Sequence, residues 1–356
     1  MDFNDEQFAI VTTDKQKVVV YAGPGSGKTR CLVGRLQYLL DSGVKPEDIA
    51  AITFTNAAAS EIADRLNGAQ GMYIGTIHGL AHLYLMSYGI NTHHLIENER
   101  FDDFFKLVKK NPDCVRPVKY LLLDEGQDSS SIQFEFILDM IQPENWMIFA
   151  DIKQSIFQWN GAYPAYIFEL IKQKDVFTYY LNKNYRCGEK IIDFARQLIM
   201  PLGLDYKDDS IPMRDNEGQV YTVEFSADGL IRTIKRRIEA GVDQNSDWFI
   251  LTRTNAESDF ILEELSEAGI ACETFKKKSF TSQDLKEKMK ANTVKVLTIH
   301  VAKGLEAKNV VVIGARFSSP EERCVSYVAA TRAKDLLVWV YPKKKPRKKK
   351  NMIEWD

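Results

Sequence analysis

Ala22-Gly23-Pro24-Gly25-Ser26-Gly27-Lys28-Thr29 is the stretch on which the reading of the fold turns. Before it, Val18-Val19-Val20-Tyr21 is a short apolar run of strand type; after it, Leu32, Val33, Leu36, Leu39 and Leu40 recur at helical spacing. The glycines therefore sit in a strand-to-helix turn. There, backbone N–H groups can wrap a triphosphate, the helix N-terminus adds partial positive charge, Lys28 can reach the β- and γ-phosphates, and the Thr29 hydroxyl can ligate magnesium. The general pattern of such phosphate-binding loops has Gly where this chain has Ala22.

Outward from this loop, short β-branched runs alternate with helical patterns. The first series of strands is predicted at 18–21, 49–54, 72–76, 120–123 and 146–150, the second at 176–181, 220–225, 248–252, 294–298, 310–313 and 336–340. Alternation of this kind implies α/β architecture, with parallel sheets covered by helices, and two series imply two sheets. The polar stretch Lys172-Gln173-Lys174-Asp175 places the boundary. The expected domains are 1–175, with a small helical insertion at about 86–118, then 176–342, then a basic tail at 343–356.

Bulk properties narrow the class. A chain of 356 residues suits two domains of ordinary size, and 45% hydrophobic with 27% charged residues is a globular composition. Residues 343–350 carry seven positive charges, so the body is more acidic than the net charge of −2 suggests. Nucleic acid would then be held by a local groove rather than by a global field. The five cysteines are scattered and form no Cys-x-x-Cys pair, which argues for a reducing compartment and against a zinc site or disulfide framework. No signal-peptide-like start or membrane-length apolar run is present, so no membrane partner is expected.

In open parallel sheets, ligands bind beyond the carboxyl ends of the strands. After Tyr120–Leu123 come Asp124-Glu125-Gly126-Gln127-Asp128. Asp124 suits a metal bound through water, and Glu125 suits a base for the attacking water. After the strand ending at Ala150, Gln154 is a neutral donor fit for a γ-phosphate. Phe157 and Trp159 alternate in a polar loop, where exposed aromatics would stack on bases. In the second half, Arg186 follows a strand and Arg332 lies in a helical stretch; an arginine from a second domain can neutralise charge on a transferred phosphoryl group.

Taken together and in this order, these stretches resemble the UvrD/Rep-like helicases of superfamily 1, from about residue 3 to residue 340. The resemblance implies two RecA-like P-loop domains with the ATP cleft between them. Phe3-Asn4-Asp5-Glu6-Gln7 resembles the Q motif, which makes Gln7 the adenine reader. Thr53 to Glu61 and Gly75-Thr76-Ile77-His78 resemble the motifs that contact single-stranded DNA. By resemblance, Gly23, Gly25, Ser26, Gly27, Lys28, Thr29 and Arg30 bind ATP with magnesium on Thr29 and Asp124. Tyr185 packs on the adenine, Glu306 binds the ribose, and Arg186 and Arg332 contact the γ-phosphate. Phe54, Thr55, Asn56, Thr76 and His78 face the strand, Trp159 is its stacking platform with Phe157 nearby, and Thr298 and His300 link the DNA groove to the ATP cleft.

Ala57, Ala150 and Asn160 depart from the family's usual Lys, Gly and Arg, and Ala22 is ordinary for it. The spans before Asp124 and between Thr274 and Val294 are short where larger relatives carry accessory domains, so a motor core with little attached is expected. The implied activity is ATP-driven 3′ to 5′ movement along single-stranded or forked DNA, by a monomer that draws on a protein partner for the accessory function. The alternative is an ATP-gated binding or loading module that unwinds little. Such a protein would act in the bacterial or phage-infected cytoplasm, or in a nucleus if the tail is an import signal. A small-molecule kinase leaves Phe54, Trp159 and Arg332 without a purpose, and the sixteen residues after Val340 hold no carboxylate cluster of nuclease type.

Overall fold

The computed structural model describes residues 2–67, 69–203, 206–275 and 288–341. The basic tail, and most of the polar stretch between Thr274 and Val294, lie outside the described residues.

The strands form two six-stranded parallel sheets and one small ladder. In the first sheet the order is β3 (Tyr73–Thr76), β2 (Ile49–Thr53), β4 (Tyr120–Leu123), β5 (Asn145–Ala150), β1 (Lys17–Ala22) and β6 (Phe177–Leu181). In the second it is β11 (Cys272–Thr274), β12 (Val294–Thr298), β10 (Trp248–Thr252), β13 (Ala307–Val312), β14 (Ala333–Tyr341) and β9 (Gln219–Glu224). The ladder pairs β7 (Lys183–Asn184) with β8 (Ile211–Pro212).

The central strands are apolar on both faces because helices cover both. In the first sheet Val19, Ala50, Ile52, Leu121, Leu123 and Ile148 point into one core cluster, while Val18, Val20, Ala51, Leu122, Met147 and Phe149 point into another. The second sheet divides likewise: Phe249, Leu251, Leu297 and Val310 on one side, Trp248, Ile250, Val296 and Val311 on the other. Period-two alternation within continuous apolar runs thus explains both layers.

One boundary moves. Residues 176–181 were expected to begin the second sheet, but β6 pairs in parallel with β1, from Val18↔Phe177 to Ala22↔Leu181, and closes the first. Lys172–Asp175 is therefore the short turn between the helix Ala165–Ile171 and that edge strand, not a linker. A polar αβ turn and an interdomain linker look alike in sequence; strand pairing separates them.

The helical insertion between β3 and β4 comprises helices Ile77–Ser87, His93–Glu97 and Asp103–Lys110. Among the described residues, no helix is long and apolar enough to cross a membrane.

Candidate functional site

The phosphate loop is shaped by two glycines in left-handed conformation, Gly25 at φ 69° and Gly27 at φ 83°, which a β-carbon would strain. Gly27 caps the helix Lys28–Asp41, so the free N–H groups of its first turn open onto the loop. Ser26 Oγ donates to Gly23 O at 2.7 Å and holds the turn. Gly25 matters twice over, because a β-carbon there would lie 2.5 Å from Arg186 Cβ and 2.9 Å from Asn184 Oδ1. The loop is thereby pinned to the segment after β6: Tyr185 N donates to Gly25 O at 2.9 Å and Asn184 Nδ2 to Pro24 O at 2.8 Å.

Around the loop lie the base-side groups. Gln7 is buried; its Nε2 donates to Ser26 O at 3.2 Å, and its backbone N–H is capped by Asn4. Asn4 Nδ2 also donates to the Tyr185 hydroxyl at 2.7 Å, which joins the two residues expected at the adenine. Thr29 is half-buried and Arg30 exposed, with the Arg30 guanidinium 5.6 Å from the Phe3 ring.

Lys28 reaches the carboxylates that follow β4. It is ion-paired with Glu125, and its Nζ lies 3.4 Å from Asp124 Oδ1. Glu125 holds φ 54°, an uncommon backbone state for a residue with a side chain. Burial lowers the Lys28 ammonium, but Asp124 and Glu125 outweigh it and hold its pKa above the ordinary value. Burial likewise raises the Glu125 carboxyl, and Lys28 with Lys303 pulls it well below the usual carboxylate range. Asp124 ends raised, because burial exceeds the pull of Lys28. Thr29 and Asp124 are hard oxygen donors at the loop's mouth, a donor set that suits magnesium.

Gln154 joins the two sheets. Its Nε2 donates to Asp151 Oδ2 at 2.8 Å, and its Oε1 accepts from Arg332 Nη2 at 3.1 Å. Arg332 is 1% exposed, not a surface ion pair, and burial followed by the nearby Arg186 charge lowers its pKa to about 9. Arg186 pairs with Glu306, whose other oxygen takes Lys334 at 2.6 Å. Glu306, expected at the ribose, is thus the counter-ion of an expected phosphate-contacting arginine.

The expected strand contacts line a groove of about 550 Å³ that holds Phe54, Thr55, Thr76 and His78 and reaches Asp124 and Glu125. Thr55 caps the helix Asn56–Arg65 and Thr76 the helix Ile77–Ser87, so both helix N-termini meet the groove. Asn56 is exposed at the first of these. His78 lies 3.7 Å from Asp102, and burial lowers its pKa against that carboxylate.

Phe157 departs from expectation. It is only 7% exposed, whereas Trp159 is 64% exposed. Phe157 belongs to the core of the second sheet, alongside Ile156, and stacks under Phe54 with centroids 5.0 Å apart. The segment after β5 has crossed to the other layer, which sequence alternation could not show. Trp159 meets the His300 ring edge-on at 6.3 Å, and His300 lies 5.8 Å from Phe157. Thr298 ends β12, two residues before that histidine.

Three groups were missed as site residues. Lys303 pairs with Asp128, lies 3.7 Å from Glu125, donates to Gln154 O at 2.7 Å, and sits 5.3 Å from the Phe157 ring centroid. One ammonium therefore touches the carboxylate cluster and the aromatic stack. Asp128 is its partner, pushed up to about 6 by burial against the Lys303 charge. Asn184 is the third, through its hold on the loop. The signal for Lys303 was its place after a strand end; its partner lies 175 positions earlier.

The sequence matches the UvrD/REP helicase N-terminal domain over residues 3–112 and 98–175, and the UvrD-like helicase C-terminal domain over residues 276–344. A probable DNA helicase of Mycoplasma pneumoniae is 24% identical over 458 residues, covering 95% of this chain and 83% of the relative. The ATP-dependent DNA helicase PcrA of Bacillus subtilis is 27% identical, covering 74% of this chain and 49% of the relative. The ATP-dependent DNA helicase srs2 of Schizosaccharomyces pombe is 26% identical, covering 55% and 34%. The chain thus spans half or less of the length of the last two.

Proposed function

The chain belongs to the UvrD/Rep-like helicases, and from that membership together with the contacts across its cleft we propose an ATP-dependent motor that steps 3′ to 5′ along single-stranded DNA and unwinds forked DNA. The observation that carries this reading is the Arg332–Gln154 hydrogen bond, which ties a helix of the second sheet to the strand end beside the phosphate loop. A motor needs such a link, because the phosphate on one side must decide how closely the two halves approach.

In the proposed cycle the γ-phosphate draws Lys28 from Glu125. Glu125 then loses its main counter-charge and becomes a stronger base for the attacking water. The buried Arg332 feels the Arg186 charge, which Glu306 balances, and the phosphoryl oxygens would give both arginines an anionic partner. Magnesium, held by Thr29 and Asp124, would neutralise phosphate charge. Lys303 carries the change to Phe157, and so to Phe54 and Trp159, where bases stack.

A strand-displacement assay on duplexes with 3′ or 5′ overhangs, paired with ATPase measurements with and without single-stranded DNA, tests this reading. DNA-stimulated turnover and unwinding from the 3′ overhang alone are expected; turnover indifferent to DNA would sink the motor. Binding without displacement would support the gated loading module. The same assay with a candidate protein partner added reports whether unwinding needs an accessory factor.

A further inference from the structure

The groove beside Phe54 has two chemically different walls. On one, the N-termini of the helices Asn56–Arg65 and Ile77–Ser87 bring partial positive charge and the Thr55 and Thr76 hydroxyls. On the other, the turn before the helix Asp103–Lys110 lines the same groove with Glu99, Arg100, Phe101, Asp102 and Asp103, three carboxylates to one guanidinium. Phe101 is 41% exposed, close to Phe54 at 39%, so each wall offers one aromatic surface. Asp103 is taken by Arg100 and Lys106, whereas the Asp102 carboxylate, 66% exposed, lies 3.7 Å from His78 as its one ion-pair approach among the described residues. Asp128 also lines the groove; it is 4% exposed, and its buried Oδ1 has no hydrogen-bond partner among the described residues.

Phosphates are repelled from the carboxylate wall and attracted to the helix termini. A strand in this groove therefore lays its backbone along Thr55 and Thr76 and turns a base toward Phe101 and Asp102. Resting on the reading of the chain as a single-strand binder, we propose that this turn forms a nucleobase subsite that selects bases carrying an exocyclic amino group. Cytosine offers its N4 amino hydrogens to the Asp102 carboxylate. Uracil and thymine offer a single N3–H between two carbonyl oxygens, which the carboxylate repels. The groove volume of about 550 Å³ lies within the usual range of small-ligand pockets, ~300–1,000 Å³, and accommodates a base with its sugar.

The test is fluorescence anisotropy of the full chain with labelled oligo(dC) and oligo(dU) of equal length, at mildly alkaline pH where cytosine N3 is unprotonated. Oligo(dC) is expected to bind about five- to tenfold tighter, the scale of a charge-assisted hydrogen bond at a half-exposed site. Asp102→Asn should bring the ratio close to one, while Phe101→Ala should weaken both oligomers by a similar factor. Thermal melting checks that both variants fold. Equal affinity of the unaltered chain for the two oligomers, or a ratio that survives Asp102→Asn, overturns the subsite and leaves strand binding intact. Binding to neither oligomer removes the strand-binding reading and the subsite with it.

Discussion

Thr53-Phe54-Thr55-Asn56-Ala57 and Thr252-Arg253-Thr254-Asn255-Ala256 are nearly the same five residues at the ends of two strands, one in each sheet. Both build the same turn. Thr53 Oγ1 donates to Thr55 O at 2.8 Å and Thr252 Oγ1 to Thr254 O at 3.1 Å; Thr55 and Thr254 then cap the helices that begin at Asn56 and Asn255. Only the second residue differs, and so does its fate. Phe54 opens into the groove over Phe157, whereas the Arg253 guanidinium makes a two-pronged pair with Glu322 at 2.7 and 3.0 Å. Local sequence decides the turn; what faces it decides whether the turn binds or braces.

The same contrast extends to the sheets. Strand ends of the first carry Lys28, Asp124, Glu125 and Gln154, while the second supplies Arg332 and Lys303. The strongest way to sharpen it is Glu125→Gln, expected to lower DNA-stimulated ATP turnover by ~10²–10⁴-fold. Turnover that survives would remove Glu125 as the base. Arg332→Lys should cost nearly as much, since a compact ammonium cannot keep the Gln154, Leu305 and Val328 contacts together.

The twin turns are next. Phe54→Ala should weaken single-strand affinity by about 1–3 kcal/mol with a modest change in melting temperature. Arg253→Ala should do the reverse, costing roughly 2 kcal/mol of stability and sparing affinity. Matched profiles in equilibrium unfolding and anisotropy would break the distinction drawn between the two turns. A smaller effect is expected at the caps: Thr55 is a lone N-cap on Ala58 N, whereas Thr254 shares a capping box with Glu257, so Thr55→Ala should lose about 1 kcal/mol of stability and Thr254→Ala at least as much, as thermal or denaturant unfolding reports.

The smallest effect is in pH. Burial pushes the Glu306 carboxyl up, but Arg186 and Lys334 overcome it and hold the pKa at about 2. A lowered folded-state pKa contributes stability that is present above the unfolded value near 4.5 and lost as pH falls toward 2. Glu306→Gln should therefore flatten that part of the acid unfolding curve by a fraction of the unscreened value, since the side chain is 38% exposed.

Much of the candidate site was legible because its parts are short-range. A strand, three glycines and a helix start are contiguous, so the phosphate loop could be read from residues 18–40 alone. The carboxylates after β4 followed from the strand-end rule. Phe157 was misread because a polar-flanked aromatic is exposed only if no other layer covers it, and here the second sheet's core does. Strand 176–181 was assigned to the wrong sheet for a related reason: β6 has no local mark of the sheet it joins. Lys303 and Asp128 were visible as residue types, but neither carries a sign of the other.

By itself the sequence determined the element types, the phosphate loop, and the order of motifs that marks the family. These depend on backbone conformation and periodicity over fewer than about twenty residues, where chain connectivity supplies the proximity. Tertiary structure alone decided which sheet β6 completes, that Phe157 is floor and Trp159 surface, and that Lys303 spans the carboxylates and the aromatic stack. Those outcomes depend on strand pairing, desolvation and charge pairing between groups more than 100 positions apart, and such energies exist only once the chain has packed.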